Sequence, residues 1–351
     1  MNIEHLLDAF TSANEVSDGV WDVCGHFLRH ILVYKPRPVV LALKCEELPD
    51  DHPSKPECLF WFGKLVISLG KFAEGRRIAT RALGLWRERK NDYGVARTLE
   101  FLCEASCLVG FHKEGIQYAK EAREIYARLG DVMGLFRSIC SLAMTLCSDG
   151  DLAAAEEEAS ALIDIIQGRR DQRCISGQVL DALGKSHGIL GQVCRSKGEL
   201  KKAREHFEVS LGITSSLSSE TWLFHNHFHL ARLSCEEGRF DDVGAHVERA
   251  KLYAANDKLR LGCIMEFQAW FSGNQGRFEV ALTEGLQAIA IFKELGALQA
   301  LQKCLQLLVS IIWKMRSPDC GTPAETCTMA TFTETNPLCT LRPGRGNHNF
   351  S

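Results

Sequence analysis

Gly110-Phe111-His112-Lys113-Glu114-Gly115-Ile116-Gln117-Tyr118-Ala119-Lys120-Glu121-Ala122 is a glycine turn that opens an amphipathic helix, and the arrangement returns through most of the chain. The corresponding glycines are Gly70, Gly110, Gly150, Gly198, Gly238 and Gly276, at intervals of 40, 40, 48, 40 and 38 residues. A period of that size marks stacked helical units, since one such unit cannot bury its apolar face alone.

The residues around each glycine narrow the choice of repeat. Two positions on stand Phe72, Leu152, Leu200, Phe240 and Phe278, with His112 the exception. Five on are Gly75, Gly115, Ala155, Ala203, Val243 and Ala281; twelve on are Ala82, Ala122, Leu162, Ser210, Ala250 and Ala288. Seven before come Gly63, Cys103, Ala143, Gly191, Ala231 and Ala269. Side chains of little bulk at fixed points let antiparallel helices approach closely. This spacing resembles tetratricopeptide (TPR) units across residues 57 to 316. HEAT and armadillo repeats fit the raw period better than the usual TPR length of about 34 residues, but they do not predict this set of small positions. The expected fold is therefore all-α: a right-handed solenoid of antiparallel helix pairs, about six TPR-like repeats of ~40 residues and a carboxy-terminal capping helix.

All nine prolines lie outside residues 57–317, so that stretch can be helical almost throughout. Asp92, Asp131, Asp171, Ser219 and Asp257 stand where N-caps are needed. The interval of 48 predicts an extended or kinked first helix near Ile175–Leu183 in the fourth unit. A final helix, Leu298 to Met315, is expected to turn Gln299, Gln302, Gln306, Ser310 and Lys314 to water and to close the stack with Leu301, Leu305, Leu308 and Ile312. Residues 1–56 read as a helical segment followed by a proline-rich loop. Residues 317–351 carry four prolines, seven threonines and no helical period, a composition that predicts disorder.

With 46% hydrophobic and 24% charged residues and a net charge of -3, the chain has the balance of a soluble globular protein. Nothing in that balance favours nucleic acid or an anionic membrane as partner. No uninterrupted apolar run of about 18 residues and no basic signal-peptide start is present, so a cytoplasmic location is expected. The fifteen cysteines form no CxxC pair and mostly occupy apolar helical positions, which predicts buried, reduced thiols.

No cofactor or metal is expected. Gly184-Lys185-Ser186 lacks the glycine five residues earlier that a phosphate loop requires, and it lies in a helical context. His225 and His229 are one helical turn apart, as are Cys103 and Cys107, but no HExxH motif or third ligand accompanies them. Glu156-Glu157-Glu158 reads as a solvated face, and Arg169-Arg170 and Lys201-Lys202 are too short for a nucleic-acid stripe. No catalytic triad is recognisable from spacing.

The better candidate site is the concave face. Alignment to the glycines projects there Phe60, Lys64, Arg97, Glu100, Glu104, Arg137, Met144, Lys185, Gln192, Arg195, His225, Phe228, Arg232, Glu266 and Trp270. Arg, Trp and Phe are common interface anchors, since they combine area with directed polar contacts. The points where TPR domains clamp acidic chaperone tails hold Phe60, Glu100, Cys140, Lys64, Glu104 and Met144 instead, which argues against that use.

Trp21-Asp22-Val23-Cys24, residues 30–38 (HILVYKPRP), residues 48–55 (LPDDHPSK), Leu85-Trp86-Arg87-Glu88-Arg89 and residues 237–242 (EGRFDD) resemble the carboxy-terminal repeat regions of fungal, mostly mushroom-type, NACHT or NB-ARC proteins. Those are STAND-type signalling ATPases with a TPR sensor behind a nucleotide switch. The resemblance covers residues 1 to about 315 and not the tail. No GxxxxGK[ST] loop is present, so it implies a sensor part alone, without ATP hydrolysis. The leading expectation is a non-catalytic scaffold that binds a protein or peptide on its concave face. The alternatives are a regulatory or remnant module serving a NACHT/NB-ARC ATPase domain and, less favoured, a metal- or nucleotide-dependent enzyme.

Overall fold

The computed structural model describes residues 48–316, apart from 69, 169–175 and 255–256. The expected amino-terminal helices, the tail expected to be disordered and the cap expected at Asp171 fall outside the described residues.

Thirteen helices and no strand occur among the described residues: α1 (Lys55–Ser68), α2 (Phe72–Glu88), α3 (Asp92–Val109), α4 (His112–Leu129), α5 (Val132–Asp149), α6 (Leu152–Gly168), α7 (Gly177–Ser196), α8 (Leu200–Ser216), α9 (Glu220–Glu236), α10 (Phe240–Ala254), α11 (Lys258–Asn274), α12 (Phe278–Leu295) and α13 (Leu298–Arg316). They pair as the glycine frame dictates, α1 with α2 through α11 with α12, and each pair leans on the next. The six framing glycines adopt φ between 74° and 91°, a conformation that costs glycine nothing and most other residues a clash. The first described helix begins at Lys55, with Pro56 in its first turn, where no backbone hydrogen bond is lost.

The predicted caps divide. Asp131 and Asp257 accept from the amides of Gly134 and Arg260 at 2.9 and 3.1 Å. At Asp92 the cap is instead Asn91, which accepts from Gly94 N at 2.8 Å, and Ser219 precedes α9 without a side-chain cap bond. In the enlarged fourth unit helix α7 has 20 residues against 18 in α5, and the remaining extra length lies in residues 169–175, outside the described residues.

Close approach rests on the small residues. A Cβ on Gly75 would stand 2.8 Å from the carbonyl oxygen of Gly63, and one on Gly191 would stand 2.7 Å from the ring of Phe207. Ala82, Ala122, Ala143, Ala203, Ala231, Ala269, Ala281 and Ala288 are fully buried. Second helices bury a single stripe, such as Phe72, Gly75, Ile78, Ala79 and Ala82 of α2. First helices are covered on both flanks, leaving mainly their concave stripe wet. Helix α5 is long and apolar enough to cross a bilayer by composition, but it is a mostly buried core helix here. Ion pairs about one period apart, such as Arg123–Glu158 and Arg87–Glu121, lace neighbouring units.

The stack closes on itself. Phe292, Leu295, Ala297 and Cys304 share one apolar cluster with Leu59, Ala79, Leu99 and Tyr126 of α1 to α4. Leu295 occupies the space a side chain would need at Gly70, and Gln299 does the same at Gly110. The Oε1 of Gln299 lies 3.3 Å from Nε2 of His112. This closure corrects the reading of α13. Its buried stripe is Cys304, Leu307, Leu308 and Ile311, because the helix rests on α11 and α12 while meeting the first units. Leu305 and Ile312, expected to close the stack, are exposed with Val309 and Trp313.

Candidate functional site: a belt inside the concave channel

The first helices of successive units occupy equivalent places, so residues at one register form a level of the concave surface. Thirteen positions before the framing glycines stand Glu57, Arg97, Arg137, Lys185, His225 and Cys263. The charged members of this rim are all paired. Arg97 donates to both carboxylate oxygens of Glu57 at 2.6 Å and lies 4.3 Å from the ring centroid of Phe60. Arg137 donates to Glu100 at 2.9 Å, and Lys185 contacts Asp181 at 2.7 Å. Near the opposite end of the helices, Arg195 is paired with Glu236 at 2.7 Å, both side chains nearly buried.

Six positions before the glycines the pattern reverses. Lys64, Glu104, Met144, Gln192, Arg232 and Trp270, one from each first helix, form a belt, and none makes a hydrogen bond or ion pair with a described residue. All retain solvent contact. Lys64 is surrounded by the rings of Phe60, Trp61 and Phe101 at 5.3, 5.5 and 5.3 Å. Trp270 stacks on Phe267 at 5.9 Å, and Phe267 meets Phe228 edge to face at 5.9 Å, giving an aromatic wall between α9 and α11.

Packing around the belt disturbs its charges. Burial raises the carboxyl pKa of Glu104, opposed by nearby Lys64. Loss of water lowers Arg232 to about 10, with the like charge of Arg195 adding to the effect. One turn above Trp270, burial also raises the carboxyl pKa of Glu266, which forms no ion pair. Glu104 is exposed at the surface, whereas Arg232 and Glu266 are half-buried.

Of the predicted groove residues, Lys64, Glu104, Gln192, Phe228, Arg232, Glu266 and Trp270 are left without ion-pair or hydrogen-bond partners, whereas Arg97, Arg137 and Arg195 are held in ion pairs within the protein. Glu100 is a buried carboxylate, 8% exposed, that accepts from Tyr126 Oη as well as Arg137, so it is a structural acceptor rather than a surface group. A small cleft of about 100 Å³ beside the rim is lined by Met133, Arg137, Cys140, Gln178, Asp181 and Lys185.

The other motifs behave as packing elements. Ser186 donates to Ala182 O within α7, so Gly184-Lys185-Ser186 is helical. His225 and His229 stack at 6.3 Å, and His229 lies parallel to Phe207 at 5.6 Å. No group of three metal-ligating side chains occurs among the described residues. Burial pushes the thiols of Cys103, Cys235, Cys263 and Cys304 up to about 12, so they stay protonated.

Sequence reasoning missed two histidine pairs. His187 and His206 approach to 3.0 Å between Nδ1 atoms, and His227 and His246 to 3.1 Å. One ring must donate and the other accept, so neither pair can be doubly protonated without repulsion. The signal was available, since both members recur after 40 residues.

No protein-family model matches the chain, and no curated protein sequence matches it. Solved structures do. The chain is similar to a Rap protein complexed with competence and sporulation factor, at 13% identity and a TM-score of 0.60 over 90% of this chain and 92% of that one. The apo form of the quorum sensor NprR from B. thuringiensis matches at 10% identity and 0.55, over 88% and 92%. Aspartyl phosphate phosphatase F from Bacillus subtilis matches at 12% and 0.51, over 89% and 88%. The chain has a TPR-like repeat fold. Identities this low establish architecture alone.

Proposed function

We propose that this chain is a non-catalytic binding module of the cytoplasm that takes an extended protein or peptide segment into its concave channel. The observation that carries this reading is the belt, where six equivalent positions present charged, polar, thioether and aromatic groups with no ion-pair or hydrogen-bond partner of their own. A protein that needed those groups only for its own stability would pair them, as it pairs the rim. The small-residue packing that fixes the helices pre-forms the surface, which lowers the ordering cost of binding. The Rap protein of similar fold holds competence and sporulation factor, which accords with such a role. The test is a pull-down from source extract with the wild-type chain and with Lys64, Arg232 and Trp270 all changed to Ala. Loss of specific partners is expected; unchanged recovery refutes the channel as the site.

A second reading makes the chain the sensor of a STAND-type ATPase, packed against a NACHT or NB-ARC domain. The exposed stripe of Leu305, Val309, Ile312 and Trp313 on α13 favours it, because a face of that kind is a common docking surface. Co-expression with such a domain should alter its ATPase rate, and Trp313→Glu should abolish the change.

A further inference from the structure

The belt narrows the chemistry of what it binds. Its fixed charges are Lys64, Glu104 and Arg232. The three are not equivalent. Lys64 has three aromatic faces to stabilise its ammonium, and Glu104 is exposed to water with Lys64 nearby. Arg232 has neither kind of relief. Its nearest ring is Phe228 at 6.0 Å, the limit of useful cation–π attraction. The neighbouring acid Glu236 is already committed to Arg195 at 2.7 Å, and the other acid nearby, Glu266, forms no ion pair with Arg232.

A guanidinium presents a planar fork of donors that matches an oxyanion with two oxygens. We infer that Arg232 is the anchor for an oxyanion carried by the bound segment, an acidic side chain or a phosphorylated one, with Phe228 and Trp270 flanking its neighbours. This deepens the channel-binding reading above and rests on it. The charged groups around the anchor are Arg195, Glu236 and Glu266, Lys303 of α13 also acts on Glu266, and His225 and His229 are held neutral by burial. Glu266 is the opposing group. Ionised, it repels the ligand; protonated, it does not. Binding therefore tightens as pH falls only over the range in which Glu266 takes up its proton while the ligand oxyanion keeps its charge.

The probe is a set of hexapeptide pools, acetylated and amidated at their ends and random except for one residue fixed as Glu, phosphoserine, Gln or Lys. Each pool is incubated with the full chain, and captured peptides are counted by mass spectrometry. The wild type is expected to capture the Glu or the phosphoserine pool about tenfold over the Gln pool, as a charge-assisted bond requires. Which of the two is enriched distinguishes carboxylate from phosphate. Arg232→Gln should bring the ratio to parity with an unchanged thermal midpoint, and Glu266→Gln should raise it and remove its pH dependence. Capture with no acidic preference, or a preference that survives Arg232→Gln, overturns the anchor and leaves channel binding standing. No capture of any pool by the wild type overturns both.

Discussion

The rim and the belt are built from the same helices, less than two turns apart, and they handle charge in opposite ways. On the rim each charged group has its counter-ion, often one repeat away, as Arg97 has Glu57. On the belt Arg232 and Glu104 have none. Paired charges hold units in register, while unpaired ones raise the free energy of the empty channel and lower it again when a complementary ligand arrives. Exposure alone does not separate the two classes; partnership does.

That contrast can be broken by measuring stability and binding in parallel. The largest effect should come from Glu236→Ala, which strands Arg195 beside Arg232 in a nearly buried place and should cost about 3 kcal/mol in urea unfolding. A loss within experimental error would mean that the pairing is incidental. Next, Leu295→Ala should cost about 2.5 kcal/mol, because it empties the contact between α12 and the Gly70 turn. Hydrogen exchange should rise around that turn, far away in sequence, and an unchanged exchange rate there would sink the closure.

The histidine pairs provide a smaller, pH-dependent term. Burial and then the partner imidazole hold His187 at about 4, and His227 likewise, with Arg249 adding to the latter. His206 and His246 are lowered too, first by burial. Since these folded values lie below the ordinary 6.5, the unfolded chain binds protons first on acidification, and stability falls as pH drops from 6.5 towards 4. Replacing His187 and His227 with Gln should flatten that acid limb by about 1 kcal/mol per pair after allowance for solvent screening. The smallest effect belongs to the belt itself. Arg232→Ala should shift stability by no more than about 0.5 kcal/mol, in contrast to its effect on binding.

The helical pairing was legible because glycine conformation and side-chain bulk are local properties, and Gly70, Gly110, Gly150, Gly198, Gly238 and Gly276 carry them in plain spacing. The level of each concave residue followed from the same frame, so Lys64, Arg232 and Trp270 could be named in advance. Their freedom from partners could not, because whether an arginine has a counter-ion depends on side-chain reach across units. Arg97 and Arg232 look alike in sequence, and only the neighbouring helix distinguishes them. The exposure of Ile312 was equally hidden, because it depends on how small rotations between units add up until α13 meets the Gly110 turn.

An open solenoid frays from whichever extremity is weaker, since each unit is supported only by its neighbours. Contact of Leu295 and Gln299 with the first two turns supplies a boundary condition more like that of a cyclic polymer, in which no module is terminal. Melting should then be all-or-none, and trimming the chain after Glu294 should be felt first by a probe placed at Trp61.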